Sequence, residues 1–191
     1  MQSFNLLRSL CLLPILLFCV LALAQAEENS VTEERTLVLG GDHNYPPYEY
    51  LDQFGFPAGY NVELSKAIAR VMGMEISIRL DDWGQVRRAL EEGEIDLLMG
   101  MAHTEERLSE VDFSSPHAKV HQSIWVRKGN QAIRSKADLV AKEVVVMKES
   151  VMHDYMLEHE IVANLFLVTT LTDALTLLAS GQHDCALVAK L

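Results

Sequence analysis

Arg107 follows Thr104 by three residues, and the intervening Glu105-Glu106 complete the pattern of a helix start. A first turn presents free backbone N–H groups and the positive end of the helix dipole. A guanidinium placed there can fork a carboxylate. The same arginine could instead lie in solvent and pair with Glu106 or Glu110, and spacing leaves both readings open. Aromatic side chains in loops supply a second kind of chemistry. Tyr45 stands in the loop Asp42-His43-Asn44-Tyr45-Pro46-Pro47-Tyr48, and Trp83 stands just before a helix. Both fall at the C-terminal ends of expected strands, where open α/β sheets bind ligands. Aromatic walls there sandwich the apolar or cationic part of a small molecule. Trp83 could equally be a core residue at a helix start, while Tyr48 and Tyr50 read as packing residues.

Other chemistries find less support. His117 and His121 are four apart, but on a strand or hinge, and His43, His103, His153, His159 and His183 are scattered. No metal site and no cofactor is expected. The chain has no G-x-S-x-G, no glycine-rich phosphate loop and no H-E-x-x-H, so binding is favoured over catalysis. With 16 Lys+Arg against 27 Asp+Glu, the formal charge is −11, which argues against a nucleic-acid partner.

The elements that must position these residues alternate along the chain. Residues 1–26 carry Arg8, an apolar run from Leu10 to Ala24 and the small residues of Ala24-Gln25-Ala26. This is the pattern of a secretory signal, cleaved near Ala26 and placing the protein in the periplasm. Cleavage removes Cys11 and Cys19. It leaves Cys185, read as a small apolar residue on a buried strand. Residues 27–35 read as a flexible leader.

From Thr36 a strand, a helix from Asn61 to Gly73, a strand at Glu75–Leu80, a helix ending near Gly93 and an apolar run Ile95–Met101 follow in order. The last of these is expected to be a strand buried on both faces. A second alternation follows Ile124–Val126: strand Glu143–Met147, helix Met152–Glu158, strand Leu165–Thr169, helix Asp173–Ala179 and strand Asp184–Val188. The rhythm predicts an α/β fold of two units, each a mainly parallel sheet flanked by helices. Lobe 1 spans 36–117, a hinge or crossover 118–130, and lobe 2 131–191. The second lobe reads as truncated.

With these residues placed, the sequence resembles the family 3 extracytoplasmic solute-binding proteins, the two-lobed type II periplasmic-binding fold. The likeness rests on "DHNYPPYEY", "GYNVELSKAIARVMG", "IDLLMGMAHTEERLSEVDFSSP" and "DLVAKEVVVMKESVMHDY…DALTLLASGQHDCAL". Through "FSSPHAKVHQSIWVRKG" and "MHDYMLE" it is most similar to the input domains of bacterial sensor histidine kinases and diguanylate cyclases.

The resemblance implies hinge closure of two lobes on a small, amino-acid-like, carboxylate-bearing ligand. Arg107 would clamp the carboxylate, Trp83 and Tyr45 would wall the pocket, and Asp42 would face the cleft. Gly100 and Thr104 would join the ligand-facing set, with Lys148 and Ser150 on the opposing wall. It also implies a partner, either an ABC permease in transport or a membrane-attached kinase or cyclase in sensing. Two positions depart from the amino-acid-binding pattern: Ala102 stands where a Ser or Thr is usual, and Ala189 where an Asp holds the α-amino group. The alternative is a periplasmic enzyme on the same fold, like cyclohexadienyl dehydratase or the module that precedes some lytic transglycosylases.

Overall fold

Three short parallel strands build the first sheet, in the order β5-β1-β6. They are β1 (Leu37–Asp42), β5 (Ile76–Asp81) and β6 (Leu97–Leu98). The computed structural model describes residues 35–161 and 163–190; the signal segment and residues 27–34 of the expected leader lie outside them. From Thr36 onward the chain forms one compact unit.

Helix α1 (Tyr60–Met72) follows β1, and α2 (Trp83–Glu91) follows β5. Gly73, in the left-handed conformation at φ 66°, ends α1 by donating its N–H to Ala69 O. Val86 and Ala89 of α2 bury against Ile95, while Val62 of α1 packs with Leu39 and Met99. Between β1 and α1 the chain makes a small antiparallel meander of β2 (Asn44–Tyr45), β3 (Glu49–Leu51) and β4 (Pro57–Ala58).

The run Ile95–Met101 differs from its expectation. Only Leu97–Leu98 is a strand, and it lies at an edge with Leu97 39% exposed. An edge strand has one paired side, so its apolar residues cannot all be sealed between neighbours. Leu97, Leu98, Met99 and Met101 instead line a cavity.

The second sheet has the order β7-β10-β8-β9. Its strands are β7 (His121–Val126), β8 (Glu143–Met147), β9 (Asn164–Val168) and β10 (Cys185–Lys190). β8 runs parallel to both β9 and β10, and β7 is antiparallel to β10. Strand β7 lies inside the stretch 118–130 expected as crossover; irregular chain covers 112–120 before it.

The period of two along β8 sorts the core onto two faces. Val144 and Val146 join Met156, Cys185 and Leu187 on one side. Val145 joins Ala186, Leu171, Ala174 and Leu178 on the other. The two faces are covered by α4 (Val151–Glu158) and α5 (Leu171–Ser180). Each fully buried valine contributes roughly 1.5–3 kcal/mol, so β8 anchors this lobe. Cys185 is fully buried in the same core, and burial pushes its thiol up to about 11. It is inert packing at neutral pH.

Candidate ligand-binding site

Asp42 ends β1, and the two glycines before it bring the strand close to its neighbours. A Cβ on Gly41 would come within 2.9 Å of Glu49 Cδ and Met99 Cε. Glu49 occupies that space, 2% exposed, because alternation along β3 turns it inward. Its Oε1 accepts the Asp42 N–H at 3.0 Å, and its Oε2 accepts Asn61 Nδ2 at 2.9 Å. Asn61 Oδ1 in turn meets His117 Nε2 at 3.1 Å. Burial pushes the Glu49 carboxyl up to about 7 against the pull of both hydrogen bonds. The Asp42 carboxyl is also raised, mainly by burial, with the Asn44 N–H opposing. Gly100 closes this corner: a Cβ there would sit 2.7 Å from Asn61 Nδ2.

The second group gathers on Arg107. Thr104 caps the short helix α3 (Glu105–Leu108), accepting the Arg107 N–H at 3.3 Å. The arginine is 2% exposed and reaches into the interior. Its Nη1 donates to Ala102 O at 3.3 Å, and its guanidinium lies 5.7 Å from the centre of the Trp83 ring. Its Nη2 donates to Asp154 Oδ2 at 2.9 Å and to Glu149 O at 3.3 Å. Its Nε is buried without a partner. Burial lowers the guanidinium's pKa, and the bond to Asp154 opposes that.

Neither Glu106 nor Glu110 pairs with Arg107; Glu110 binds Arg87 at 2.8 Å instead. Trp83 is buried at the start of α2, with its Nε1 donating to Glu149 O at 2.8 Å.

Members of both groups border one cavity of about 910 Å³ between the two sheets, with Glu149 and Asp154 behind its wall. Asp42, Tyr45, Trp83, Gly100, Arg107 and Ser150 line it together. Tyr45 stacks on Tyr48 at 5.6 Å and packs against the second-lobe core; burial first, then nearby Tyr48, Glu49 and Asp42, push its hydroxyl up to about 12. Ser150 caps α4 by accepting the His153 N–H at 3.3 Å. Ala102 and Ala189 are also at the wall.

Two expected residues are not at the cavity wall. Thr104 stands behind Arg107 as its helix cap. Lys148 is 59% exposed and pairs with Glu149 at 3.5 Å. Glu49, Asn61 and Asp154 escaped the sequence reading, and His117 entered it only as a histidine weighed for a metal site. Glu49 left no local trace, because its strand of three residues is too short for alternation to show.

Comparison with known proteins fits this geometry. The model of the bacterial extracellular solute-binding proteins, family 3, matches residues 37–160. The chain belongs to that family. It is 32% identical over 138 residues to the arginine-binding extracellular protein ArtP of Bacillus subtilis, covering 72% of this chain and 53% of that protein. It is 31% identical over 120 residues to the L-cystine-binding protein TcyJ of Escherichia coli, covering 62% and 45% respectively. The chain thus spans about half the length of these relatives.

Among solved structures, a histidine kinase sensor domain with similarity to periplasmic binding proteins superposes with a TM-score of 0.80 at 43% identity. That match covers 83% of this chain and 70% of the other. An ancestral arginine-binding protein bound to arginine gives 0.76 at 32% identity, covering 82% and 71%. These matches are binding or sensor proteins. The chain also matches enzymes over a quarter or less of their length: a membrane-bound lytic murein transglycosylase F of Desulfosudis oleivorans is 28% identical over 95 residues, 49% of this chain and 21% of that enzyme, and one of Actinobacillus succinogenes is 30% identical over 123 residues, 63% and 25%.

Proposed function

We propose that this chain is the ligand-capturing part of an exported, non-enzymatic receptor whose lobes close on a small carboxylate-bearing, amino-acid-like solute. The observation that carries the reading is Arg107: a buried guanidinium at the cavity wall whose Nε has no partner. A buried donor left unpaired is costly, and a ligand carboxylate would satisfy it. Trp83 and Tyr45 serve as aromatic walls, and Asp42 offers a carboxylate to a ligand cation. Gly100 keeps the backbone close, and Ser150 faces them from the second lobe. Thr104 acts by holding the turn that carries Arg107, and Lys148 stands outside the contact set.

Sensory input is favoured over transport receptor, on the likeness to the kinase sensor domain. A coding sequence that continues into a membrane span and a signalling domain would bear that out. A short second-lobe completion followed by a stop would favour a permease partner. Export with cleavage near Ala26 is checked by N-terminal sequencing of protein recovered from the periplasm.

A thermal-shift panel of L-amino acids, dicarboxylates and polyamines tests the ligand class. A carboxylate-bearing compound at a hundred times its Kd should raise the melting temperature by about 5–10 °C. Stabilisation by polyamines alone would overturn the carboxylate assignment. Incubation with prephenate or arogenate should return both unchanged; turnover would move the chain to the enzymes on this fold.

A further inference from the structure

Arg107 and Asp154 belong to different lobes and lie 47 positions apart in sequence, yet their side chains meet at 2.9 Å. The contact is the centre of a larger clasp. Glu149 O receives both Trp83 Nε1 and Arg107 Nη2. Arg87 Nη1 lies 3.8 Å from Asp154 Oδ2, and Arg88 Nη1 lies 3.6 Å from Glu149 Oε2. Gly84 leaves room for it, since a Cβ there would fall 2.2 Å from that same Glu149 oxygen. Four side chains of the first lobe therefore converge on the start of α4. A hydrogen bond between the lobes stands apart from it, Thr172 Oγ1 donating to Asn44 Oδ1 at 2.8 Å, beside the packing of Tyr45 on the second-lobe core.

We propose that Asp154 is the protein's own counter-ion for Arg107, a latch between the lobes that competes with a ligand carboxylate for one guanidinium. The geometry divides the fork. Asp154 holds Nη2, Ala102 O holds Nη1, and Nε is left facing the interior. A carboxylate entering the cavity meets an arginine already neutralised, so it must take Nε and share or displace Asp154 from Nη2. Asp154 is thereby a specificity-determining residue: it penalises simple anions and sets how tightly ligand capture is coupled to the lobe contact. Asp154 is only partly buried, with its side chain 40% exposed against 3% for Arg107. Solvent can rehydrate the aspartate, whereas the arginine stays buried and needs another anion in its place, which a ligand carboxylate supplies. That asymmetry makes the aspartate the moving half of the latch.

The competition rests on the ligand reading above, but the latch itself can be tested without any ligand. Trp83 donates into the clasp and is 7% exposed, so its fluorescence reports whether the lobes are held. Trp125, the other tryptophan, is removed by Trp125→Phe in all variants. Asp154→Ala, at a helical position that favours alanine, should red-shift Trp83 emission and roughly double or more its acrylamide quenching constant. Asp154→Lys, which sets an ammonium beside Arg87 and Arg107, should do more. Glu63→Gln, the same loss of charge on the exposed face of α1, should change neither.

Unaltered emission and quenching in both Asp154 variants, with far-UV circular dichroism intact, would overturn the latch even if the panel finds a ligand. A clear Asp154 effect with no carboxylate binder in the panel would sustain the latch and overturn the ligand reading instead.

Discussion

Glu49 carries a proton over a pH range in which an ordinary glutamate has lost it. Its carboxyl sits at about 7 in the folded chain against 4.5 for the free group, through burial. Between those values the folded state binds a proton that the unfolded state does not. Stability from this group is therefore complete below pH 4.5 and is lost as pH rises through about 7. The size is of the order of 3 kcal/mol, and the raised Asp42 carboxyl adds in the same direction. Urea denaturation should show the protein less stable at pH 8 than at pH 5, and Glu49→Gln should flatten that difference. An equal pH dependence in the variant would show that Glu49 is not the group responsible.

Arg107 gives the second residue-scale expectation. Its fork cannot be copied by an ammonium, and removing one partner of a buried charged pair costs about 2–5 kcal/mol. Arg107→Lys should weaken capture of a carboxylate ligand by roughly 30-fold or more in titration calorimetry. Arg107→Ala should also lower the melting temperature of the protein alone, because it strips the buried clasp with Asp154 and Trp83. The sequence placed Arg107 correctly at a helix start. It could not name Asp154, because an acid in the first turn of α4 reads locally as a helix-dipole partner.

At the scale of elements, the alternation of strand and helix was readable because each unit carries its own periodicity and stop. The helix stop at Gly73 stands where the sequence puts it, and Gly181 ends α5 in the same left-handed conformation. The strands β2, β3 and β4 were not readable, since two or three residues are too few for a period of two to show. The run Ile95–Met101 misled for a different reason: apolar composition says that a residue is out of water, not whether a sheet or a cavity wall covers it.

Gly59 shows how tightly that small meander constrains α1. It sits at φ 116°, and a Cβ would fall 2.4 Å from Tyr48 O. Gly59→Ala should cost ~2 kcal/mol or more, since a side chain would meet both the backbone strain and a carbonyl that cannot move aside. Chemical denaturation of the variant measures it; a loss under about 0.5 kcal/mol would mean that the turn relaxes freely.

Across the whole molecule, the site exists because two sheets present their irregular ends to each other. Among the bonds between lobes, Trp83 joins Glu149, Arg107 joins Asp154 and Asn44 joins Thr172, separations of 66, 47 and 128 residues. No local pattern encodes such pairs, so the fold was legible in the sequence while half of the site's chemistry was not. Among the wall residues, Tyr45 and Trp83 stand at strand or helix ends, where topology alone predicts a binding crevice, while Asp42, Gly100 and Ser150 were legible only through the family resemblance, which also decided between two readings of Arg107.

A small solute captured as proposed sits between the lobes and touches both. Amide and indole nuclear magnetic resonance spectra of the labelled chain, titrated with the strongest stabiliser from the panel, address it directly. Saturable shifts should appear together at the Trp83 indole, Asp42 and Gly100 on the first lobe and at Ser150 and Ala189 on the second. Shifts confined to one lobe, or to outer surfaces away from these residues, would contradict it.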